Sequence, residues 1–563
     1  MTFPSKCPWA GVIGLLLLNA IVFGCVLTFD FVRWDDNILI TQSPVLKEPW
    51  SASLVARFFD PDQALRFKPL HWAMARGISS IADFEPAAWH AANLILHLTA
   101  TALLYLVLRQ VLSLVRGGDA PGGMAAELGP LFGAALWSVH PLRAETVSWL
   151  SVSTYPLATV FLLASFSCYL RAHVRGRTGF SWLVAAWLLA VMAYASYPVT
   201  ATYGLWLIAV DKWLLAGSGR TGVPATTGPS QVRSAIKHAC FLAPAALAVA
   251  ITMWSRIAHP GIFASAPAIE SVGPGARGLM ALASLTFLAG RLVWPVDLTP
   301  NVPPLAGDIV SPSVLIMAVV AVVALIGAWH LRRRRPLFAL CGIGFAVLSL
   351  PCLGLTEYPT WPVDRYSYVA HLPLVGAVAT WPWWQWHGAR QRMAIGLLAA
   401  VVTGGLAVAA RAQCEIWRDS GALFTSMAKH PDFHDNPRQE GHIYVMWAGY
   451  EAENGRAERA AELLNQAQAV YVAAMHRAIG TGAYGEALSL LTHLERHLGL
   501  TPALRREKGA WLLREKRNEE ALRELQAAAA ALPDDERLRA LLAEAKALTA
   551  GADVPSGQSA PRP

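Results

Sequence analysis

Charge is scarce in this chain. Asp, Glu, Lys and Arg make up 15% of its 563 residues while hydrophobic residues make up 55%, and the charged share of an ordinary globular domain is about a quarter. With a mean hydropathy of +0.39, a soluble globular fold is excluded for most of the length, leaving a polytopic membrane protein. Cysteine is scarce as well. Cys7, Cys25, Cys168, Cys240, Cys341, Cys352 and Cys414 sit mostly inside apolar runs, without CxxC or other ligand spacing, so neither a disulfide framework nor a zinc site is implied. Nor is there a basic patch interleaved with aromatics. The charge of +8 and pI of 9.2 reside in short loops between apolar runs, where orientation in a membrane explains them, and nucleic acid is not an expected partner. No small-residue cleavage site follows the first run, residues 8–29, which reaches about the 20 residues a span needs and reads as a retained helix.

Apolar segments recur near 8–29, 90–115, 129–141, 155–171, 181–197, 199–216, 238–255, 277–294, 311–331, 336–355, 368–386 and 393–411. The basic loops should be cytoplasmic: Arg171, Arg175 and Arg177; Lys212, Arg220, Arg233 and Lys237; Arg332 to Arg335; Arg390 and Arg392. Twelve crossings would put Arg332 to Arg335 on the wrong side. If 277–294, interrupted by Arg291 and ending in Trp294-Pro295, lies at the interface or re-enters, the conflict disappears. About eleven crossings are therefore expected over residues 1–411, N-terminus inside and C-terminus outside, with a large first outer loop at 30–89. That topology gathers Asp35-Asp36, the 142–154 loop, the Pro-rich 256–310 region and the 356–367 loop on one face. Trp34, Trp137, Trp149, Trp294 and Trp361 read mostly as an aromatic belt.

Beyond 411 the chain becomes amphipathic, Ala- and Glu-rich. Ala448, Gly455, Ala460, Leu464 and Ala467; then Gly482, Tyr484, Ala487 and Leu491; then Gly509, Ala521, Leu525, Ala528 and Pro533 repeat a small-residue skeleton, with 34 residues from Ala487 to Ala521 and 27 from Ala460 to Ala487. Small residues let paired helices pack closely before the next pair stacks on them, so a tetratricopeptide-like solenoid is expected over 412–549, with a generic helical bundle as the alternative. The Gly-, Pro- and Ser-rich tail 550–563 is expected to be disordered.

Chemistry points first to Asp35-Asp36, directly after the first run. Adjacent carboxylates at a bilayer surface must be hydrated or paired. Trp34-Asp35-Asp36-Asn37-Ile38, Lys68-Pro69-Leu70, His90 to His97 (HAANLILH), His140-Pro141 with Glu145-Thr146-Val147, Leu292-Val293-Trp294-Pro295, Asp364-Arg365-Tyr366-Ser367-Tyr368 and Ile416-Trp417-Arg418-Asp419 occur in that order. In this the chain resembles the transmembrane and tetratricopeptide-repeat O-mannosyltransferases and their bacterial relatives, in the GT-C glycosyltransferase superfamily, over nearly its whole length.

The resemblance implies an all-α fold and an inverting transferase that passes a sugar from a polyprenyl-phosphate donor to an acceptor protein or glycan on the non-cytoplasmic side. It implies no tightly bound cofactor. Asp35 and Asp36 match the acidic position that acts as base or positions the acceptor; Asp35 is slightly preferred as base, with Asp36 holding it, or a metal, in place. A hydroxyl is a weak nucleophile and needs a carboxylate to take its proton. The departing lipid phosphate needs fixed cations or donors, and Arg365 is the first choice, oriented by Asp364, because a guanidinium grips phosphate oxygens bidentately. Lys68, Arg291 and His140 come second; Glu145 is a third acid that binds the sugar or pairs with Arg143. Each has an ordinary alternative: solvated loop acids, snorkelling arginines, a helix-ending His-Pro. Two departures stand out, Tyr197-Pro198 where relatives commonly place Lys-Pro, and Arg143 in place of the second His of His-Pro-x-His. A competing reading is a non-catalytic membrane anchor whose repeat domain binds a protein partner. A transporter or flippase would carry ionisable residues deep in its spans, and these runs hold few apart from Asp211.

Overall fold

The computed structural model describes residues 8–60, 67–116, 124–174, 179–215, 228–258, 272–300, 310–355, 361–381 and 388–549. The 550–563 tail and Arg175, Arg177 and Arg220 of the basic loops lie outside them. Among the described residues every regular element is helical. The chain divides into two compact units, Met1–Met427 and Ala428–Pro563.

In the first unit eight helices are long and apolar enough to cross a membrane: Trp9–Thr28, Pro86–Val115, Leu150–His173, Gly179–Ser196, Val232–Ala258, Pro274–Val293, Pro312–Leu331 and Met393–Trp417. The other four apolar runs are shorter or broken. Pro336–Cys352 is a short apolar helix, and Met124–Ser138 has 15 residues with Pro130 inside. Tyr203–Val210 passes into a π turn at Asp211–Leu215. The 368–386 run opens as two short helices, Ser367–Ala370 and Leu372–Ala379, the second with Pro373 in its first turn. In the 368–386 run the break falls just before Pro373, because a proline is tolerated in a first turn but interrupts the hydrogen-bond ladder further along.

Asp211 accounts for its own presence near an apolar run. Its carboxylate accepts from the Tyr169 hydroxyl at 2.6 Å and faces His238 Nε2 at 3.1 Å, Lys237 and, at 3.7 Å, His173. A carboxylate this well supplied is stabilised where it stands.

Segment 30–89 is folded rather than a bare loop. Asn37–Thr41, Pro44–Lys47, Ala52–Arg57 and Pro69–Ala82 are helical, two of them opening on proline and one capped by the Ser51 hydroxyl, which accepts from Leu54 N at 3.1 Å. They close over a small core of Ile40, Leu46, Leu54, Phe58, Trp72, Trp89 and Leu150; each large side chain so buried stabilises by roughly 2 kcal/mol.

Helix Pro274–Val293 is unbroken, and both of its ends meet the 350–366 segment. Arg277 donates to Leu355 O at 3.1 Å, and Arg291 lies 3.7 Å from Asp364. Near its C-terminal end His371 Nε2 meets Leu288 O at 2.9 Å and His140 Nε2 meets Leu292 O at 3.1 Å.

The first unit extends beyond the expected boundary at 411, because Trp417 stacks on Trp149 at 5.2 Å, Arg33 N donates to Ser420 Oγ at 2.9 Å, and Leu423 and Phe424 are fully buried. In the second unit, helices Pro437–Glu453, Ala457–Gly480, Tyr484–Leu498, Pro502–Arg514, Asn518–Ala529 and Glu536–Thr549 pack largely on their sequence neighbours. Gly509 lets two of them touch: a Cβ there would lie 2.4 Å from Leu525 Cγ.

Candidate active site

The short stretch 140–153 between two helices is where the polar residues converge. Proline at 141 opens a 3-10 turn, Ala144–Ser148 form one helical turn, and Asn93 from a neighbouring helix secures it, donating to the carbonyls of Thr146 at 3.0 Å and Val147 at 2.8 Å.

Asp36 is 1% exposed. Its carboxylate accepts from Ser151 N at 2.9 Å and Ser151 Oγ at 2.5 Å through one oxygen, and from Val32 N at 3.1 Å through the other. Burial pushes its pKa up to about 7, against those hydrogen bonds, with the neighbouring Asp35 charge adding to the rise. Asp36 is thus an anchor that fixes the acidic turn to Ser151. Asp35 is exposed and has φ of 90°, a left-handed backbone that non-glycine residues rarely adopt. Its carbonyl accepts from Ile38 N and Leu39 N at 3.0 and 2.8 Å. The two acids are sharply different groups, and the exposed one is held in a strained turn by the buried one.

Arg365 is brought to the same stretch by Glu145, the third acid, whose expected ion-pair partner is Arg143 rather than Arg365. Glu145 Oε1 accepts from its guanidinium at 2.5 Å and Oε2 from its backbone N–H at 2.8 Å. Asp364, expected to orient Arg365, instead faces Arg291 at 3.7 Å. Nor does Glu145 pair with Arg143. Arg143, 1% exposed, donates to Ser367 Oγ at 2.5 Å, and that hydroxyl donates to Asp364 O at 2.6 Å. Its guanidinium lies 5.4 Å from the Trp137 ring and 5.3 Å from the Tyr368 ring, and its Nε and Nη1 make no hydrogen bond among the described residues. Burial lowers the Arg143 pKa to about 10. Burial pulls Arg365 down too, but the Glu145 charge outweighs it and the net shift is upward. Asp364 is raised to about 7 by burial and then by Glu145, against the three arginines around it. Glu145, Asp364, Arg143, Arg291 and Arg365 form one cluster in which cations outnumber carboxylates, and the raised Asp364 widens the excess near neutrality.

His140 does not offer a free cation. Its Nδ1 accepts from Leu142 N at 3.3 Å, its Nε2 meets Leu292 O at 3.1 Å, and burial lowers its pKa to about 3. It caps the turn as a neutral ring. Lys68 is buried at the start of helix Pro69–Ala82, with Nζ 4.9 Å from the Trp72 ring centre. Its neighbour His71, held well below its usual pKa by burial and by Lys68, lies 3.5 Å from Ser153 Oγ.

Beside this cluster is a cavity of 240 Å³. Its polar lining is Tyr155, Tyr197, Thr202, Thr252, Arg256 and Tyr366, and Val199, Val249, Met253, Leu350 and Leu355 supply apolar wall. Tyr366 follows Arg365 in the chain, and Phe67 N donates to Thr252 Oγ1 at 3.4 Å, bringing the start of helix Pro69–Ala82 in the 30–89 segment to the rim. Asp35, Asp36, Glu145 and Arg365 are not themselves in the lining. Arg256, Tyr155 and Thr252 carry no motif that marks them in sequence; Tyr197 was marked as a departure, and it faces the cavity together with Arg256. Among the described residues no cluster of three or more His, Cys, Asp or Glu could hold a metal ion.

Comparison of the chain with protein-family models, with curated proteins and with solved structures finds no match.

Proposed function

We propose that the chain is an integral-membrane, inverting glycosyltransferase of the GT-C kind. It transfers a sugar from a polyprenyl-phosphate donor to a hydroxyl of an acceptor protein or glycan on the non-cytoplasmic face of a bacterial inner membrane. The observation that carries the reading is the sharing of one segment. The turn bearing Asp35 is fastened through Asp36 to Ser151, and Arg365 is fastened to Glu145, six residues earlier in that segment, beside a cavity whose lining is part apolar and part tyrosine, threonine and arginine.

In the proposed reaction the acceptor oxygen attacks the anomeric carbon, the bond from that carbon to the phosphate oxygen breaks, and the hydroxyl proton passes to the Asp35 carboxylate. The lipid phosphate leaves with its negative charge, which the excess of arginine in the Arg143, Arg291 and Arg365 cluster stabilises without reorganising. Arg256 and the tyrosines grip the donor headgroup, taking the place of the absent Lys at Tyr197. The apolar wall receives the first isoprene units.

Sidedness is supported by helix Leu150–His173, whose 24 residues span about 36 Å. Ser151 holds Asp36 at one end, and at the other the basic loop begins near His173 and Lys237. Helix Pro274–Val293, touching the 350–366 segment at both ends, is read as lying along that face, which supports about eleven crossings. The second unit is read as a tetratricopeptide-like solenoid that recruits the acceptor or a protein partner.

Purified full-length protein in liposomes, supplied with labelled polyprenyl-phosphate sugar, tests the reading. Incorporation into acceptor by the wild type and its loss in Asp35→Asn is the expected result. Equal incorporation with and without the chain would favour the membrane-anchored scaffold.

A further inference from the structure

Cys25 and Cys414 are 389 residues apart in sequence and meet in space. Cys25 lies in the 3-10 turn Gly24–Thr28 that ends the first helix, and Cys414 is the last residue of helix Ala389–Cys414. Both belong to one buried apolar cluster with Phe23, Val26, Phe29 and Ala410, and the two thiols are within hydrogen-bond reach of each other. They sit at the rim of the apolar layer, one turn from the half-exposed Arg411–Glu415 pair at 3.4 Å. Two further links between the same strands of chain follow directly: Asp30 N donates to Arg418 O at 2.9 Å and Arg33 N to Ser420 Oγ at 2.9 Å. The seam where the first helix and helix Ala389–Cys414 emerge is therefore already closed by two hydrogen bonds, one main chain to main chain and one to a serine hydroxyl, with the thiol pair at its head.

We infer that Cys25 and Cys414 form a native disulfide that staples the two helix ends below the turn carrying Asp35. The inference rests on the proposed sidedness, since thiols held together persist as a disulfide only where the compartment is oxidising. The oxidant is a protein disulfide of the thiol–disulfide oxidoreductase class. As the last helix docks, the Cys25 thiolate attacks one sulfur of that disulfide and displaces the other as a thiolate, giving a mixed disulfide. Cys414, losing its proton, then attacks Cys25 Sγ and releases the oxidoreductase with both its thiols reduced. Two protons and two electrons leave the chain, and one S–S bond forms in place of the one consumed.

The test is differential alkylation of the full-length chain taken directly from cells. Free thiols are blocked with one reagent under denaturing conditions, the protein is then reduced, and newly released thiols are labelled with a second reagent. The expected result is the second label on both Cys25 and Cys414, a linked peptide before reduction, and loss of that peptide in Cys25→Ser and in Cys414→Ser. The first label on both residues of the wild type overturns the disulfide. In parallel, Ser53→Cys, an exposed position in the folded 30–89 segment, is probed in intact cells with a membrane-impermeant maleimide. Labelled Cys at 53 with free thiols at 25 and 414 overturns the disulfide while the sidedness stands; no labelling overturns the sidedness.

Discussion

Arg365 donates from both its main chain and its guanidinium to the two oxygens of Glu145, across 220 residues of sequence. The pair is largely buried, with side-chain exposures of 21% and 6%, and it welds the 361–381 segment to the 140–153 stretch. Truncating one member of such a pair leaves an uncompensated buried charge, so Glu145→Ala is expected to cost about 3 kcal/mol. Thermal unfolding of the detergent-solubilised chain measures it. The double variant Glu145→Ala, Arg365→Ala should recover part of that loss, and a double-mutant cycle with no coupling would show that the contact contributes nothing.

Asp35 and Asp36 should separate cleanly on mutation. Asp35→Gly relieves a φ of 90° and is expected to stabilise the chain by about 1 kcal/mol while abolishing transfer. Asp35→Asn should lower the transfer rate by roughly 10²-fold or more with an unchanged melting temperature. Asp36→Ala, which leaves Ser151 N and Val32 N without their acceptor, should destabilise by about 2 kcal/mol. A variant at Asp35 that unfolds the chain while Asp36→Ala stays stable would reverse the assignment.

Stability should fall as pH rises through the neutral range. Asp36 and Asp364 each have a folded-state pKa of about 7, above the ordinary carboxylate value of 3.8. The folded state therefore holds its protons longer than the unfolded state does. Their contribution is complete below about pH 4 and is lost progressively up to about pH 7. Melting temperatures from pH 5 to pH 8 should decline, with a shallower slope in Asp36→Asn. A rising melting temperature over that interval would contradict both environments.

Arg256→Ala is expected to raise the KM for polyprenyl-phosphate sugar about tenfold, the loss of one charge-assisted contact, with little change in kcat. Tyr197→Lys adds a second cation to the same cavity and should lower that KM. Initial rates against donor concentration distinguish the two, and an Arg256→Ala variant with wild-type KM would remove this cavity from donor binding.

In the second unit, Gly509→Val places a branched side chain where even a Cβ would lie 2.4 Å from Leu525 Cγ. Overpacking of this kind costs about 1–3 kcal/mol. Hydrogen exchange should loosen first across Pro502–Arg514 and Asn518–Ala529; unchanged protection there would mean that the two helices have room to separate.

Sequence alone determined the helical, membrane-type character of the first unit. The apolar runs act locally, through their length and composition, and a local rule can be read without knowing what packs where. The same holds for the change of composition near residue 411 and for the small residues of the second unit. What only the tertiary structure decided is which charged group meets which. Sequence proximity suggested Asp364 for Arg365 and Arg143 for Glu145, whereas the chain pairs Arg365 with Glu145, Arg291 with Asp364 and Arg143 with Ser367. Asp35 and Asp36 were near equals as letters; burial against Ser151 made one an anchor and left the other exposed in a strained turn. Tyr155, Thr252 and Arg256 were ordinary residues until two helices, Thr154–Val174 and Gly228–Ala258, brought them to one cavity. Burial and pairing are set by packing between segments far apart in the chain, and no periodicity within a segment carries that information.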